Sequence, residues 1–165
     1  ADRPAFVAGR PLDDNAHVML RFKASGAAPA AKGILWASQV APGNENALKL
    51  RVYGTKGGLE WEQEQPNHLW FTPFGEPKRL ITRGGAGAGA AAARVSRVPS
   101  GHPEGYLEGF ATIYAEAARA IRAARTGAAP DDAVTYPTVA DGVEGVAFVE
   151  ACVRSSKRNA AWTRL

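Results

Sequence analysis

A single cysteine, Cys152, stands in 165 residues, so no disulfide framework can form within the chain. It sits in an apolar helical pattern, which reads as an inert buried thiol rather than a nucleophile. No run is long and apolar enough to span a membrane as a helix. No secretory signal opens the chain, and a cytoplasmic location is the expectation. Charge of one sign is not concentrated either. The net charge is +4, but Lys and Arg are scattered. Their one cluster, Arg154, Lys157, Arg158 and Arg164, is interrupted by apolar residues. A nucleic-acid binder carries a basic stripe or a known reading module, and neither is present.

The first half alternates. In residues 17–23, Val18, Leu20 and Phe22 fall on one side and His17, Met19 and Arg21 on the other, the period of a strand. Residues 34–40 form a second run, after the loop "SGAAPAAKG". "APGNEN" is turn chemistry. Residues 47–53 place Leu48, Leu50 and Val52 opposite Lys49, Arg51 and Tyr53. "GTKGG" makes a hairpin turn, and residues 59–64, 68–72 and 78–82 supply three more strands. Short connections between successive strands imply antiparallel neighbours. A meander of about six strands over residues 1–83 is predicted, with one apolar face and one face of charges and aromatics. Residues 84–99 begin with Gly/Ala-rich low complexity and read as an irregular connection with one short helical turn.

Residues 100–165 read as two main helices and a tail. Tyr106, Phe110, Ile113, Ala117, Ile121 and Ala124 recur at helical spacing, and Gly127 marks a stop. Thr138 and Asp141 resemble a capping box. Val139, Val143, Val146, Val149 and Val153 form an apolar stripe that should be buried. The fold class is therefore α+β: an open antiparallel sheet of about six strands with helices packed on one face.

Three motifs with apparent chemistry lose on context. "GAGAGA", residues 85–90, fits a dinucleotide fingerprint by letter, but no parallel strand with a terminal acid follows. In "DDNAH", Asp13 and His17 are separated by about 13 Å if the segment is extended, too far for one hydrogen bond. Glu60, Glu62 and Glu64 line one strand face about 7 Å apart, which suits a solvated or partner-facing row better than a metal site. No metal ligand set is expected.

"SGHPEGY", residues 100–106, is the remaining candidate. Pro103 suits the first position of a helix, and Glu104 complements a helix N-terminus. Gly101, His102 and Gly105 are not explained that way. Flanking glycines let another group approach closely. A histidine beside a helix N-terminus favours the neutral imidazole, able to donate or accept one hydrogen bond. From the residues alone, a helix start and a ligand contact are both open.

Taken together, "GRPLDDNAHVMLRF", "ASQVAPGNENALKLRVYGTKGGLEWEQEQPNHL", "VPSGHPEGYLEGFATIY" and "YPTVADGVEGVAFVEACVRSS" resemble the C-terminal domain of the Gfo/Idh/MocA oxidoreductases. "RVYGTKGGLEW" and "GHPEGY" carry the most specific likeness. The resemblance implies an open sheet whose free face packs in a homodimer or tetramer. It implies an N-terminal Rossmann domain that binds NAD or NADP, and a hydride transfer at a sugar- or polyol-like hydroxyl carbon.

The family's Glu-Lys-Pro motif, and its D-x-x-x-H pair on a Gly-rich helix, have no match in this sequence. "DDNAH" lies on the following strand and is not that pair. The resemblance thus implies a fragment with no catalytic residue and no cofactor site of its own, inactive in isolation. His102, and less strongly Glu104, would contact substrate. The alternative is a non-catalytic domain for sheet-mediated dimerisation or ligand binding. No nucleic acid and no membrane enter as partners.

Overall fold

A computed structural model describes residues 13–26 and 29–165. The opening stretch 1–12 and two residues of the "SGAAPAAKG" loop lie outside the described residues. Six strands occur among the described residues: β1 (Asn15–Arg21), β2 (Lys32–Ser38), β3 (Lys49–Gly54), β4 (Gly57–Glu62), β5 (His68–Pro73) and β6 (Arg79–Thr82). The helices are α1 (Ala90–Val95), α2 (Tyr106–Arg125) and α3 (Val139–Lys157). All strand pairs are antiparallel, so the α+β class and the strand number hold. Cα-level packing separates two compact units, Glu45–Ala140 and a second made of Ala1–Asn44 with Asp141–Leu165.

The expected single meander is instead two sheets: a β1–β2 hairpin, and β3-β4-β5-β6 in sequence order. The reason lies in the link before β3. Gly43 and Ala47 both take positive φ, 87° and 50°. Asn46 then bonds the Gln63 side chain, and the Ala47 N–H donates to Glu64 Oε1 at 2.8 Å. These contacts lead the chain onto β3 beside the far end of β4.

In the four-stranded sheet the register separates the faces. Leu50 opposes Trp61, Val52 opposes Leu59, Leu59 opposes Phe71 and Leu69 opposes Ile81. The other face pairs Lys49 with Glu62 at 3.2 Å and Glu60 with Lys78 at 2.9 Å. Tyr53 lies across Gly58, where a Cβ would stand 2.7 Å from its ring. That covers a position with no side chain of its own.

Helix α2 ends as its sequence predicts. Gly127, at φ +71°, donates to Ala124 O at 3.2 Å, and Ala128 N–H reaches Ala123 O at 2.9 Å. This is the paired closure of a Schellman motif, and glycine supplies its left-handed residue without steric cost.

The start of α2 differs from the expectation. The helix begins at Tyr106, not at Pro103. Glu108 reaches back so that the Gly105 N–H donates to its Oε2 at 2.9 Å, which satisfies a donor ahead of the first turn. The valine stripe of α3 also differs. Val139, Val143, Val146, Val149 and Val153 are all exposed, and the helix buries only the small Ala151. Among the described residues Ala151 is the one buried hydrophobic side chain. Cys152 is half-buried rather than enclosed.

The smaller unit holds its own polar contacts. Trp36 donates its indole N–H to Asn15 Oδ1 at 2.8 Å and stacks on His17. Arg21 sits 3.8 Å above the Trp162 ring, a cation–π contact.

Candidate functional site

The site forms within the unit Glu45–Ala140, where the β4–β5 turn meets the segment leading into α2. Residues 99–102 make a tight turn. The His102 N–H donates to Pro99 O at 3.3 Å, and Gly101 takes φ +82° at the third turn position. That position requires a left-handed residue, which accounts for this glycine. Gly105 has a different reason: a Cβ there would stand 3.3 Å from the Pro66 ring. A side chain there would press on Pro66 and require that ring to give by a few tenths of an ångström.

Arg83 organises the site. It lies one residue beyond β6, and its backbone N–H donates to Asn67 O at 2.9 Å. Its Nε donates to Asn67 Oδ1 at 2.8 Å. Nη1 donates to Val98 O at 2.7 Å and pairs with Glu104 Oε2 at 2.8 Å. Nη2 donates to Pro99 O at 3.1 Å and to His102 O at 2.7 Å. The guanidinium thus makes four hydrogen bonds and one close ion pair.

Glu104 is the other half of this clasp and is buried. It accepts the Arg97 N–H on both oxygens, at 2.8 and 3.0 Å, and the Val98 N–H at 3.1 Å. Its own N–H donates weakly to Asn67 Oδ1 at 3.3 Å. The carboxylate is thus directed inward, into the connection between α1 and α2.

His102 has the opposite situation. It is exposed, and among the described residues its one side-chain hydrogen-bond contact is Nδ1 at 3.4 Å from Ser100 O. A carbonyl can only accept, so this contact is a hydrogen bond only in a form that carries a proton on Nδ1.

A cavity of about 650 Å³ opens here, bounded by Glu64, Asn67, His68, Arg83, His102 and Glu108 among others, with Pro66, Tyr106 and Leu107 giving an apolar wall. Both sequence candidates line it, but only His102 has a free polar atom turned to solvent. Arg83 joins it without any sequence signal, and so do His68 and Glu64, the latter read from the sequence as part of a solvated or partner-facing row. The Gly105 N–H holds the Glu108 carboxyl below its usual range.

A second buried acid, Glu116, lies on α2 away from this cavity. It takes Arg94 in a bidentate pair at 2.9 and 3.0 Å, Arg119 at 2.8 Å and the Thr135 N–H at 3.1 Å. Arg94 foremost lowers its pKa from 4.5 to about 2, against the opposing cost of burial. This network ties α1 and the segment after α2 to the helix.

The run after α1 contains no strand before α2, so "GAGAGA" lacks the unit that would cradle a pyrophosphate. Glu60 and Glu62 are engaged by lysines, and the Lys78 hydrogen bond lowers the Glu60 pKa. No group of three metal-ligating side chains occurs among the described residues. None of their helices is long and apolar enough to cross a membrane.

Residues 2–165 match the model of the oxidoreductase family, C-terminal alpha/beta domain. The chain is 34% identical over 163 residues to the uncharacterized oxidoreductase YfiI of Bacillus subtilis, covering 98% of this chain and 40% of that protein. An oxidoreductase structure from Sinorhizobium meliloti is 67% identical with a TM-score of 0.87, over 99% of this chain and 45% of that one. An inositol dehydrogenase homolog from Azotobacter vinelandii, complexed with NADH and myo-inositol, is 35% identical with a TM-score of 0.82. There the match covers 94% of this chain and 40% of the other. The chain thus spans less than half the length of these relatives, and it belongs to the Gfo/Idh/MocA oxidoreductase family as the C-terminal alpha/beta domain.

Proposed function

We propose that this chain is the substrate and assembly domain of a nicotinamide-dependent dehydrogenase acting on a hydroxyl carbon of a sugar or polyol. The observation that carries the reading is the 35% identity, over 94% of this chain, to a homolog holding NADH and myo-inositol. The cofactor, NAD or NADP, belongs to an N-terminal Rossmann domain outside this sequence, and supplies the hydride chemistry. The main proton-transfer groups lie upstream of this sequence. Within this chain His102 contacts the substrate through Nε2. Glu104 and Arg83 fix the turn that presents it. Glu104 is assigned that supporting part because its carboxylate is already used by two backbone N–H groups and Arg83.

An assembly role is compatible and has its own support. Leu50, Val52 and Leu59 share one sheet face and are 59%, 53% and 40% exposed. Apolar area of that kind favours a covering partner, either a second copy or the N-terminal domain.

The test is His102→Ala in the full-length protein. A lost hydrogen bond to substrate should lower kcat/KM about tenfold, from roughly 1.4 kcal/mol, with the melting temperature unchanged. Reduced stability with unchanged turnover would refute the contact.

A further inference from the structure

The Gly/Ala-rich connection between β6 and α2 has little apolar surface with which to hold its place. Helix α1 lies within it and buries none of its side chains, and alanine and glycine gain little from burial. Polar ties do the holding instead. Arg94, in the last turn of α1, meets Glu116 of α2 at 2.9 and 3.0 Å and donates to Ala133 O. Three residues on, the Arg97 N–H donates to both oxygens of Glu104, at 2.8 and 3.0 Å, and the Val98 N–H donates to Oε2 at 3.1 Å. Arg97 Nε adds an exposed bond to Thr112 Oγ1 at 3.2 Å.

Glu104 and Glu116 are the two buried polar side chains among the described residues, and both serve this one connection. Buried carboxylates hold their donors strongly, because water does not compete for them. From Glu104 the contacts continue to Arg83 at 2.8 Å, and from Arg83 Nη2 to the His102 carbonyl at 2.7 Å. An unbroken series of contacts therefore runs from Glu116, through Arg94 and the end of α1, to the turn that carries His102. Neither Arg94 nor Glu116 lines the cavity.

We infer that Arg94 and Glu116 are a positioning pair for His102. The pair fixes where α1 ends, and so where the Arg97 and Val98 N–H groups meet Glu104. When those donors shift, the Glu104 carboxylate leans on Arg83, its remaining partner, and the guanidinium loosens its hold on the His102 carbonyl. This role rests on the proposed His102 contact and extends it to two residues outside the cavity.

The test is Arg94→Gln in the full-length protein with its nicotinamide cofactor, assayed on myo-inositol, D-glucose and D-xylose. Glu116 keeps Arg119 at 2.8 Å and the Thr135 N–H at 3.1 Å, so its carboxylate stays partnered in this variant. The polyol or sugar kcat/KM should fall about fivefold, within the range of changes along such a network, while the cofactor KM is unchanged. In a His102→Ala background the same substitution should change kcat/KM by less than about 1.5-fold, because the contact it positions is gone. A purely structural weakening would act alike in both backgrounds. Amide exchange at Arg97 and Val98 should quicken about threefold or more. Arg94→Lys keeps the charge without the fork. It should recover part of the loss, and it replaces Arg94→Gln where that variant yields little folded protein.

An unchanged kcat/KM, or an equal loss in both backgrounds, overturns the positioning role and leaves the proposed function standing. A His102→Ala protein with full turnover removes the substrate contact and the positioning role with it, as does turnover of none of the three probes.

Discussion

Glu104→Gln separates a supporting role from a ligand contact at the position where the two compete. The side chain is 6% exposed and makes three backbone N–H contacts plus the 2.8 Å pair with Arg83. Glutamine keeps the shape but removes the charge and converts one oxygen into a donor. With the amide nitrogen at the Oε1 position, it faces the Arg97 N–H, while the remaining oxygen keeps the other bonds as neutral ones. Charged hydrogen bonds contribute about 1 kcal/mol more than neutral ones, so three weakened bonds give a loss of about 3 kcal/mol. That agrees with the lower end of about 3–5 kcal/mol for breaking a buried ion pair.

For a domain of this size the loss corresponds to a fall of about 6–12 °C in melting temperature. The assay is thermal unfolding followed by tryptophan fluorescence. A cycle with Arg83→Met should show about 1–3 kcal/mol of coupling between the two positions. A Glu104→Gln protein that melts like the parent, with no coupling to Arg83 and a raised KM, would refute the clasp. It would return Glu104 to the substrate.

Three further outcomes are expected. Gly101→Ala meets no atom within 4 Å, so its cost is the backbone alone: about 1–2 kcal/mol for a left-handed alanine, read by chemical denaturation. A loss near zero would mean the 99–102 turn is remade. Glu116 has a depressed folded pKa, about 2 against 4.5, so its contribution is full above pH 4.5 and is lost as pH falls toward 2. Glu116→Gln should flatten that part of a stability–pH profile, and an unchanged slope counts against the network. The chain alone, mixed with NAD and a polyol panel, should produce no NADH; turnover would contradict the assignment of the cofactor site and main proton-transfer groups to residues upstream of this sequence.

Strand positions were readable because alternation is local, and each observed strand lies within a few residues of its expected bounds. Gly127 was readable for the same reason. The division into two sheets was not, because it depends on Asn46 and Ala47 finding Gln63 and Glu64, seventeen residues away in sequence. The start of α2 was misplaced because Pro103 and Glu104 carry helix-start preferences that tertiary contacts override: Glu104 turns inward to Arg83 instead. His102 was visible as an unexplained residue between glycines. Arg83 gave no local signal, since its partners sit up to nineteen positions along the chain. The exposed valine stripe shows the limit of periodicity, which identifies an apolar face without identifying what covers it.

The placement of Arg83 one residue past β6 has a mechanical consequence. The turn bearing His102 is fastened to the sheet margin and not to the helix that follows it. Fraying of β6 from β5 would release the His102 carbonyl even though no residue of the turn had changed. Amide exchange at residues 99–102 should then follow the opening of Leu80 and Ile81 rather than that of α2. Substitutions on the last strand would loosen the imidazole from a distance, and a screen confined to residues around the cavity would miss them.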